Sequence, residues 1–199
     1  MGLPRFAVVD VETSGLSSRR HRILQIGVVT IEADGTVVDQ WSSLVRLAWP
    51  WSRVGPRRVH GITRRALRGA PTASEAMAEL GRRLDGAVFT AHNADFDAAF
   101  LERAATRSGM TLELDRRLCT LQLSRRLDPD RQLAHGLADV CARYDVSLER
   151  HHDALHDARA TASVLPFLLV AHGVADDADL DGLYSGQHRR PLYGPLPPR

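Results

Sequence analysis

The beginning of the chain contains three successive strand patterns, and these limit the possible folds more than any other feature of the sequence. They cover about 5–12, 23–32 and 36–47. The residues Ala33-Asp34-Gly35 between the second and third patterns predict an antiparallel hairpin, because Asp-Gly favours tight turns. Helical patterns then alternate with short apolar strands, an order typical of α/β proteins with helices on the faces of one mixed sheet.

The remaining elements predict a single domain. A loop containing Pro50, Gly55, Pro56 and Gly61 precedes them. We predict helices over about 71–84, 93–108, 120–127, 133–144 and 154–171, and strands over 87–91 and near Leu118. We place Asn93 at the N-cap of the second of these helices. The tail 185–199 has prolines at 191, 195, 197 and 198 and is predicted to be irregular, so the domain is expected to span 1–184.

Composition favours a cytoplasmic protein. A chain of 199 residues suits one domain. No apolar stretch approaches the roughly 20 residues of a membrane-spanning helix, so no membrane association is expected. The first strand begins almost at once, without a signal-peptide pattern. We interpret Cys119 and Cys141 as reduced thiols.

Basic residues are unevenly distributed along the chain. All 26 are arginines, and seven of them lie within 46–68, where no acidic residue occurs. Such a stretch is typical of a surface that meets a phosphate-bearing partner. It is equally compatible with a solvated arginine-rich face, and the sequence leaves both interpretations open.

Two carboxylates end the first predicted strand. Asp10 and Glu12 follow the apolar run 6–9 and precede the turn residues 13–15. Side chains two positions apart on a strand share a face, so these two groups project together. Because neighbouring carboxylates repel each other, a divalent cation is the expected neutralising partner. The pair therefore predicts one side of a metal site.

A second acidic group opens the helix predicted over 93–108. Asp95 and Asp97 are about 200° apart around a helix axis, so only one of them faces the sheet. We choose Asp97, because it shares a face with the apolar Phe100 and Leu101. Asp95 in the first turn complements the helix dipole.

A third group surrounds the start of the last helix, where His152 and Asp157 lie five residues apart. They converge only if His152 precedes the helix and Asp157 lies in its first turns. That geometry suits a base beside a metal ligand, since a histidine ordinarily titrates near pH 6.5. A rival interpretation is a zinc helix in which His152 and His156 both bind the metal, with Asp153 in the place of the usual Glu.

A fourth pattern, His60-Gly61-Ile62-Thr63, lies inside the arginine-rich stretch. By itself it predicts only the start of a helix, with Thr63 as N-cap.

These blocks together resemble the DEDDh family of 3′→5′ exonucleases, which includes the proofreading epsilon subunit of bacterial replicative DNA polymerase, ribonuclease T and oligoribonuclease. The matching blocks are Val9–Leu16, Ala91–Asp97 and His152–Ala158, with Val59–Thr63 similar to the epsilon-like branch. The resemblance covers about 5–170. It implies a ribonuclease H-like fold with a five-stranded mixed sheet flanked by helices.

The resemblance also implies a two-metal mechanism. Two Mg²⁺ or Mn²⁺ ions about 4 Å apart would be bound by carboxylates. Asp10 would bridge both ions, Glu12 and Asp157 would complete the first, and Asp97 would hold the second. His152 would take the proton from the attacking water.

The same resemblance implies a nucleotide pocket and a class of substrate. The pocket residues would be Thr13, Leu16, His60, Asn93 and Phe96, with Leu16 as an apolar wedge against the terminal base. The substrate would be nucleic acid with a free 3′ end, DNA being favoured over RNA by the epsilon-like block, and a DNA polymerase or repair protein is a possible partner. The alternatives are an RNA-directed exoribonuclease and a non-catalytic nucleic-acid-binding module on the same fold.

Overall fold

A five-stranded mixed sheet forms the centre of the molecule, in a computed structural model that describes residues 2–49, 51–148 and 152–185. The strand order is β3-β2-β1-β4-β5. β1 pairs antiparallel with β2 and parallel with β4, while β2–β3 is antiparallel and β4–β5 parallel. The mixed sheet predicted from the sequence is confirmed. Its strands are β1 (Arg5–Thr13), β2 (Ile23–Ile31), β3 (Val37–Leu44), β4 (Ala87–Ala91) and β5 (Arg117–Cys119).

Helices follow most of the predicted positions. Among the described residues they are α1 (Arg57–His60), α2 (Arg64–Leu67), α3 (Ala73–Leu84), α4 (Ala94–Arg107), α5 (Thr120–Arg126), α6 (Leu137–Arg143), α7 (Ala154–Ala171) and a 3₁₀ turn (Asp177–Leu180). α3 begins with a capping box in which the Thr72 hydroxyl accepts from the Glu75 amide at 3.2 Å and the Glu75 carboxylate accepts from the Thr72 amide at 2.7 Å. No helix within the described ranges is long and apolar enough to cross a membrane.

Alternating side chains of β1 contribute to two cores, one on each face of the sheet. Val9 and Val11 pack in a cluster with residues of α3 and α4. Phe6 and Val8 pack in a second cluster with residues of α6 and α7. Since strand side chains alternate, Asp10 continues the series of Phe6 and Val8 and lies on the α7 face. The sequence alternation therefore places Asp10 on the face of the sheet that α7 covers.

Two predicted element boundaries are wrong, each for a local reason. The helix predicted from residue 133 begins only at Leu137, because 128–135 is held as a loop by the Asp128 carboxylate, which accepts from the Leu133 amide at 2.9 Å. β3 ends at Leu44 rather than 47, since the Arg46 amide donates to the Pro71 carbonyl at 2.7 Å. The prediction of Asn93 as the N-cap of α4 is confirmed, although its side chain makes no capping hydrogen bond and its backbone is left-handed at φ 71°.

The arginine-rich segment 46–68 contains two one-turn helices rather than a plain loop. Thr63 caps the second, accepting from the Ala66 amide at 3.2 Å, as predicted. Gly55 lies directly against the Ser14 backbone, where a Cβ atom would come within 2.4 Å of the Ser14 carbonyl oxygen. The segment is thereby fixed beside the carboxyl end of β1. The tail prediction lies outside the described residues except for Ser185, which forms a bridge with Arg117.

Candidate active site

The start of α7 is brought against the acidic end of β1 by a glycine in β2. Gly27 is paired with Asp10 in the β1–β2 register. A Cβ atom on Gly27 would lie 2.3 Å from the backbone of Ala154, so only glycine permits this approach. Gln25 strengthens the contact, since its amide lies 3.4 Å from the Asp153 carboxylate. α7 therefore begins directly over the strand that carries Asp10 and Glu12.

The first residues of α7 place His152 and Asp157 together as the sequence predicts. The helix begins at Ala154, with Asp153 as N-cap, so His152 precedes the helix and Asp157 lies in its first turn. The His152 backbone amide donates to the Asp157 carboxylate at 3.0 Å. His152 has a left-handed backbone at φ 70°. This turn keeps the exposed His152 beside the buried Asp157.

The zinc-helix interpretation is wrong. His152 lies outside α7, so the two histidines do not occupy successive turns of one helix. His156 instead contacts the N-cap, with its Nδ1 atom 3.1 Å from the Asp153 carboxylate. Asp153 and His156 therefore act in capping the helix.

Asp97 reaches the same region from α4, behind β1. β4 pairs with β1 only as far as Val8, which leaves the later part of that β1 edge open. There the Val11 amide donates to the Asp97 carboxylate at 3.1 Å, and Asp97 is 2% exposed. Asp95 points elsewhere and lies 3.6 Å from the Arg117 guanidinium. The choice of Asp97 as the sheet-facing residue agrees with this geometry.

The carboxylates at this site repel one another. Burial raises the pKa of Asp10 well above its ordinary value, and the neighbouring carboxylates of Asp97, Asp157 and Glu12 raise it further. Burial also raises the pKa of Asp97, although hydrogen bonds from the backbone amides of Val11 and of Asp97 itself act in the opposite direction. Ionising all of these groups requires positive charge beside them.

A divalent cation fits this donor set. Glu12, His152 and Asp157 each offer a ligand atom, and these atoms lie within 4.8 Å of one another. Asp10 and Asp97 add further carboxylate oxygens beside that group. Mg²⁺ and Mn²⁺ prefer such hard oxygen ligands, whereas thiolates would indicate a softer metal. The arrangement can therefore neutralise its own repulsion by holding cations at the end of β1.

A cleft of about 880 Å³ opens over the carboxylates. All of the predicted site residues except Asp97 line it, including Thr13, Leu16, His60, Asn93 and Phe96. Leu16 is 87% exposed, so it is available to a ligand and is not part of the core. The Phe96 ring packs against Phe100 with centroids 5.0 Å apart and closes one side of the cleft.

His60 forms part of the wall contributed by the arginine-rich segment. Its ring is buried, and its Nδ1 atom accepts from the Ile62 amide at 3.1 Å. Burial lowers its pKa, so the neutral form with a proton on Nε2 is favoured. That Nε2 is buried and forms no hydrogen bond of good geometry.

Three residues of the opposite wall were not predicted from the sequence: His92, Arg125 and His135. His92 donates to or accepts from the Thr120 hydroxyl at 3.0 Å, and burial lowers its pKa to about 4. It lies inside the matched block Ala91–Asp97, and that position was a usable signal. Arg125 and His135 carry no local signal, because arginines are common in this chain and the loop before α6 was predicted to be helical.

Comparison with known proteins identifies the family. A family model described as Exonuclease (RNase T) matches residues 7–165. The PolC-type DNA polymerase III of Lacticaseibacillus paracasei is 34% identical over 161 residues, which are 80% of this chain and 11% of that protein. That of Caldanaerobacter subterraneus subsp. tengcongensis is 36% identical over 160 residues, with shares of 80% and 11%. The chain thus spans about a tenth of the length of these curated relatives.

Solved structures agree with the fold. Exonuclease X in complex with 5′ overhanging duplex DNA matches with a TM-score of 0.68 and 25% identity, covering 87% of this chain and 95% of that one. E. coli Exonuclease I in complex with a dT13 oligonucleotide matches with a TM-score of 0.71 and 17% identity, covering 85% and 42%. The ribonuclease H-like fold is therefore confirmed. On the family match and the resemblance of the ordered motifs, the chain belongs to the DEDDh (DnaQ-like) family of 3′→5′ exonucleases, which hydrolyse phosphodiester bonds.

Proposed function

We propose that the protein removes nucleotides from the 3′ end of single-stranded or frayed DNA, releasing nucleoside 5′-monophosphates, in polymerase proofreading or DNA repair. The observation that carries this proposal is the convergence of Asp10, Glu12, Asp97, Asp157 and His152 from β1, α4, α7 and the turn before α7, with all but Asp97 lining one cleft. The active domain is proposed to span 1–184. The two buried free cysteines support a location in the reducing cytoplasm.

Four carboxylates would hold two Mg²⁺ or Mn²⁺ ions. Asp10 would bridge them, Glu12 and Asp157 would complete the first, and Asp97 would hold the second directly or through a water. When bound, such ions supply a water of lowered pKa and a counter-charge for the leaving 3′ oxygen. Asp97 is fixed for this role, because its bond to the Val11 amide determines where its second oxygen points.

His152 is proposed as the general base. Its position at the exposed edge of the cleft gives an imidazole nitrogen access to a water on the solvent side of the carboxylates. The bond from its backbone amide to Asp157 fixes the turn and so limits where the ring can lie. A positioned base of this kind contributes about 10²- to 10⁴-fold to a rate.

The terminal nucleotide is proposed to lie between Leu16 and Phe96. Leu16 offers an exposed apolar side chain to the base, while Phe96 supports the opposite side. Thr13 and Asn93 would contact the sugar and phosphate. His60 would line the nucleotide pocket on the side of the arginine-rich segment. Contacts of this type read shape rather than sequence, so little sequence preference is expected.

The names of the relatives support DNA as the substrate. The PolC-type relatives are DNA polymerases, and the solved structures include Exonuclease X with overhanging duplex DNA and Exonuclease I with dT13. The polymerase context makes a replicative DNA polymerase or a repair protein the proposed partner.

A substrate panel tests the proposal. Single-stranded DNA, mismatched duplex DNA and single-stranded RNA with the same 3′ sequence are incubated with Mg²⁺ or Mn²⁺ and followed by product length. We expect stepwise shortening of the DNA substrates and mononucleotide release, both absent in Asp10→Ala. Faster cleavage of RNA would replace the DNA assignment by an exoribonuclease. A folded wild-type protein that binds the substrates but shortens none would indicate a non-catalytic binding module.

A further inference from the structure

We propose that a second pocket, between α5 and α6, binds backbone phosphates of the substrate strand on the 5′ side of the nucleotide that is removed. This inference deepens the proposed exonuclease function and rests on it. The pocket has a volume of about 660 Å³, and Arg125, Arg126 and Arg131 line it together with Asp128 and His135. Below it is called the arginine pocket.

The arginine pocket adjoins the cleft over the carboxylates. Arg125, Leu133 and His135 line both. A strand whose 3′ end lies against Asp10 would therefore pass these residues to reach the arginine pocket. The volume of the pocket is in the range of sites that hold small ligands, which allows room for a nucleotide or two.

The charge of the pocket suits phosphate. Three exposed arginine residues line it, and the Arg126 guanidinium also donates to the Gly182 carbonyl at 2.7 Å. Guanidinium groups bind phosphate oxygens through paired hydrogen bonds. The one lining carboxylate, Asp128, is already engaged, because it accepts from the amides of Gln132 at 3.0 Å and Leu133 at 2.9 Å. The Asp128 carboxylate therefore holds the loop in place, and its bonds to these amides reduce its repulsion of a phosphate.

The loop that carries Arg131 is held in place before any ligand binds. His135 bridges two elements, with Nε2 3.1 Å from the Asp128 carboxylate and Nδ1 2.9 Å from the Ser124 hydroxyl. Arg143 from α6 donates to the same hydroxyl at 2.9 Å and to the Ala134 carbonyl at 2.8 Å. A site whose backbone is already ordered loses less entropy on binding.

Comparing Arg131→Gln with Arg5→Gln distinguishes DNA binding at the arginine pocket from a general effect of net charge on DNA binding. Arg5 is also exposed and begins β1 at the end opposite the cleft, where it pairs with Glu32 at 2.9 Å. Both variants lose one positive charge. Binding is measured in the Asp10→Ala background with a labelled single-stranded DNA of about 12 nucleotides, within the range of single-strand site sizes.

We expect Arg131→Gln to weaken this binding several-fold and to reduce the slope of log affinity against log salt by about 0.7, the value of one phosphate contact on a single strand. Arg5→Gln should change neither. With the active protein, Arg131→Gln should raise KM for the long substrate and leave hydrolysis of the p-nitrophenyl ester of thymidine 5′-monophosphate unchanged, because that ester lacks upstream phosphates. Arg125→Gln, which also lines the cleft, should reduce the salt slope too.

An unchanged salt slope in both pocket variants, or an equal loss in Arg5→Gln, would overturn the inference. Loss of ester hydrolysis in Arg131→Gln would also overturn it, since the effect would then lie at the terminal nucleotide. The binding measurement does not require turnover. A wild-type protein that cleaves no substrate would contradict the proposed function, while the salt slopes would still decide whether the arginine pocket holds phosphates.

Discussion

Asp97 and Asp128 are both buried carboxylates, yet their surroundings act on them in opposite directions. Asp97 is 2% exposed and Asp128 8%. Burial raises the pKa of Asp97, and the nearby Glu12 raises it further. Backbone bonds from Gln132 and Leu133 lower the pKa of Asp128. Asp128 therefore carries a charge that its own loop stabilises.

The contrast shows that burial alone does not identify a functional carboxylate. Hydrogen bonds to a charged group are stronger than those between neutral groups, so two backbone amides and a histidine stabilise the ionised Asp128 carboxylate. The groups around Asp97 and Asp10 include further carboxylates, which increase the cost of ionising either group. A cluster of mutually repelling carboxylates is an expected cation site, whereas a carboxylate stabilised by its own loop organises structure.

Asp10→Asn should produce the largest change. We expect activity to fall by on the order of a thousand-fold, comparable to removing a principal electrostatic contact to the transition state. The metal-free variant should unfold at a higher temperature than wild type near neutral pH. Folding raises the pKa of Asp10, so ionising its carboxyl costs more in the folded protein than in the unfolded chain. Wild type therefore loses stability as pH rises through the raised pKa, whereas the amide of the variant does not ionise. Activity assays and metal-free thermal melts check both effects, and a lower melting temperature would contradict the stated electrostatics.

His152→Gln should have the next largest effect. Loss of the base should lower kcat by about 10²- to 10³-fold. Mn²⁺ affinity, measured by calorimetry, should remain close to that of wild type if His152 acts as a base. A loss of affinity of more than about tenfold would make His152 a metal ligand, a role that its place within 4.8 Å of Glu12 and Asp157 also permits.

Asp128→Asn tests the other side of the comparison. We expect the melting temperature to fall by several degrees, because the amide cannot replace a charged acceptor for the Gln132 and Leu133 amides and for His135. Since folding lowers the pKa of Asp128, its stabilisation exists above the unfolded value near 3.9 and is lost as pH falls through the folded value. The difference in melting temperature between Asp128→Asn and wild type should therefore become smaller at acid pH.

Asp130→Asn is the matched control for Asp128. Asp130 lies in the same loop and is exposed, and its backbone carbonyl accepts from the Gln132 side chain at 3.0 Å. The substitution leaves that carbonyl in place, so the melting temperature of the variant should equal that of wild type. Equal losses in the two variants would mean that the loop responds to charge in general rather than to the bonds of Asp128.

His92→Asn should have the smallest effect near neutral pH, and its main consequence should be a changed pH dependence of stability in acid. Burial lowers the pKa of His92 to about 4 from an ordinary 6.5. The unfolded chain therefore binds a proton at His92 before the folded protein does, and stability declines as pH falls from about 6.5 to about 4. The variant should lose less stability over this interval in urea titrations. Identical declines would contradict a buried neutral His92.

Much of the acidic site could be predicted because its geometry is local. Asp10 and Glu12 share a face by strand alternation, and the helix period separates Asp97 from Asp95. His152 and Asp157 can meet only if the helix starts between them, which it does at Ala154. In each case one periodicity is enough to fix the relation between two side chains.

The loop before α6 could not be predicted, because tertiary bonds override its helical pattern. The apolar spacing of 133–144 predicted a helix throughout, but Asp128 and His135 hold the first residues outside it. The close contact between Gly27 and Ala154 was likewise unpredictable, since nothing local in β2 indicates which backbone will lie above it. Long-range contacts of this kind decide the walls of the cleft.

Calorimetric titration of the metal-free protein with Mn²⁺ tests the central claim most directly, namely that the mutually repelling carboxylates around Asp10 form a cation site. We expect two ions to bind per wild-type chain and fewer, or more weakly, to Asp10→Asn, while Asp128→Asn binds as wild type does. Absence of binding to wild type, or identical titrations for wild type and Asp10→Asn, would contradict it.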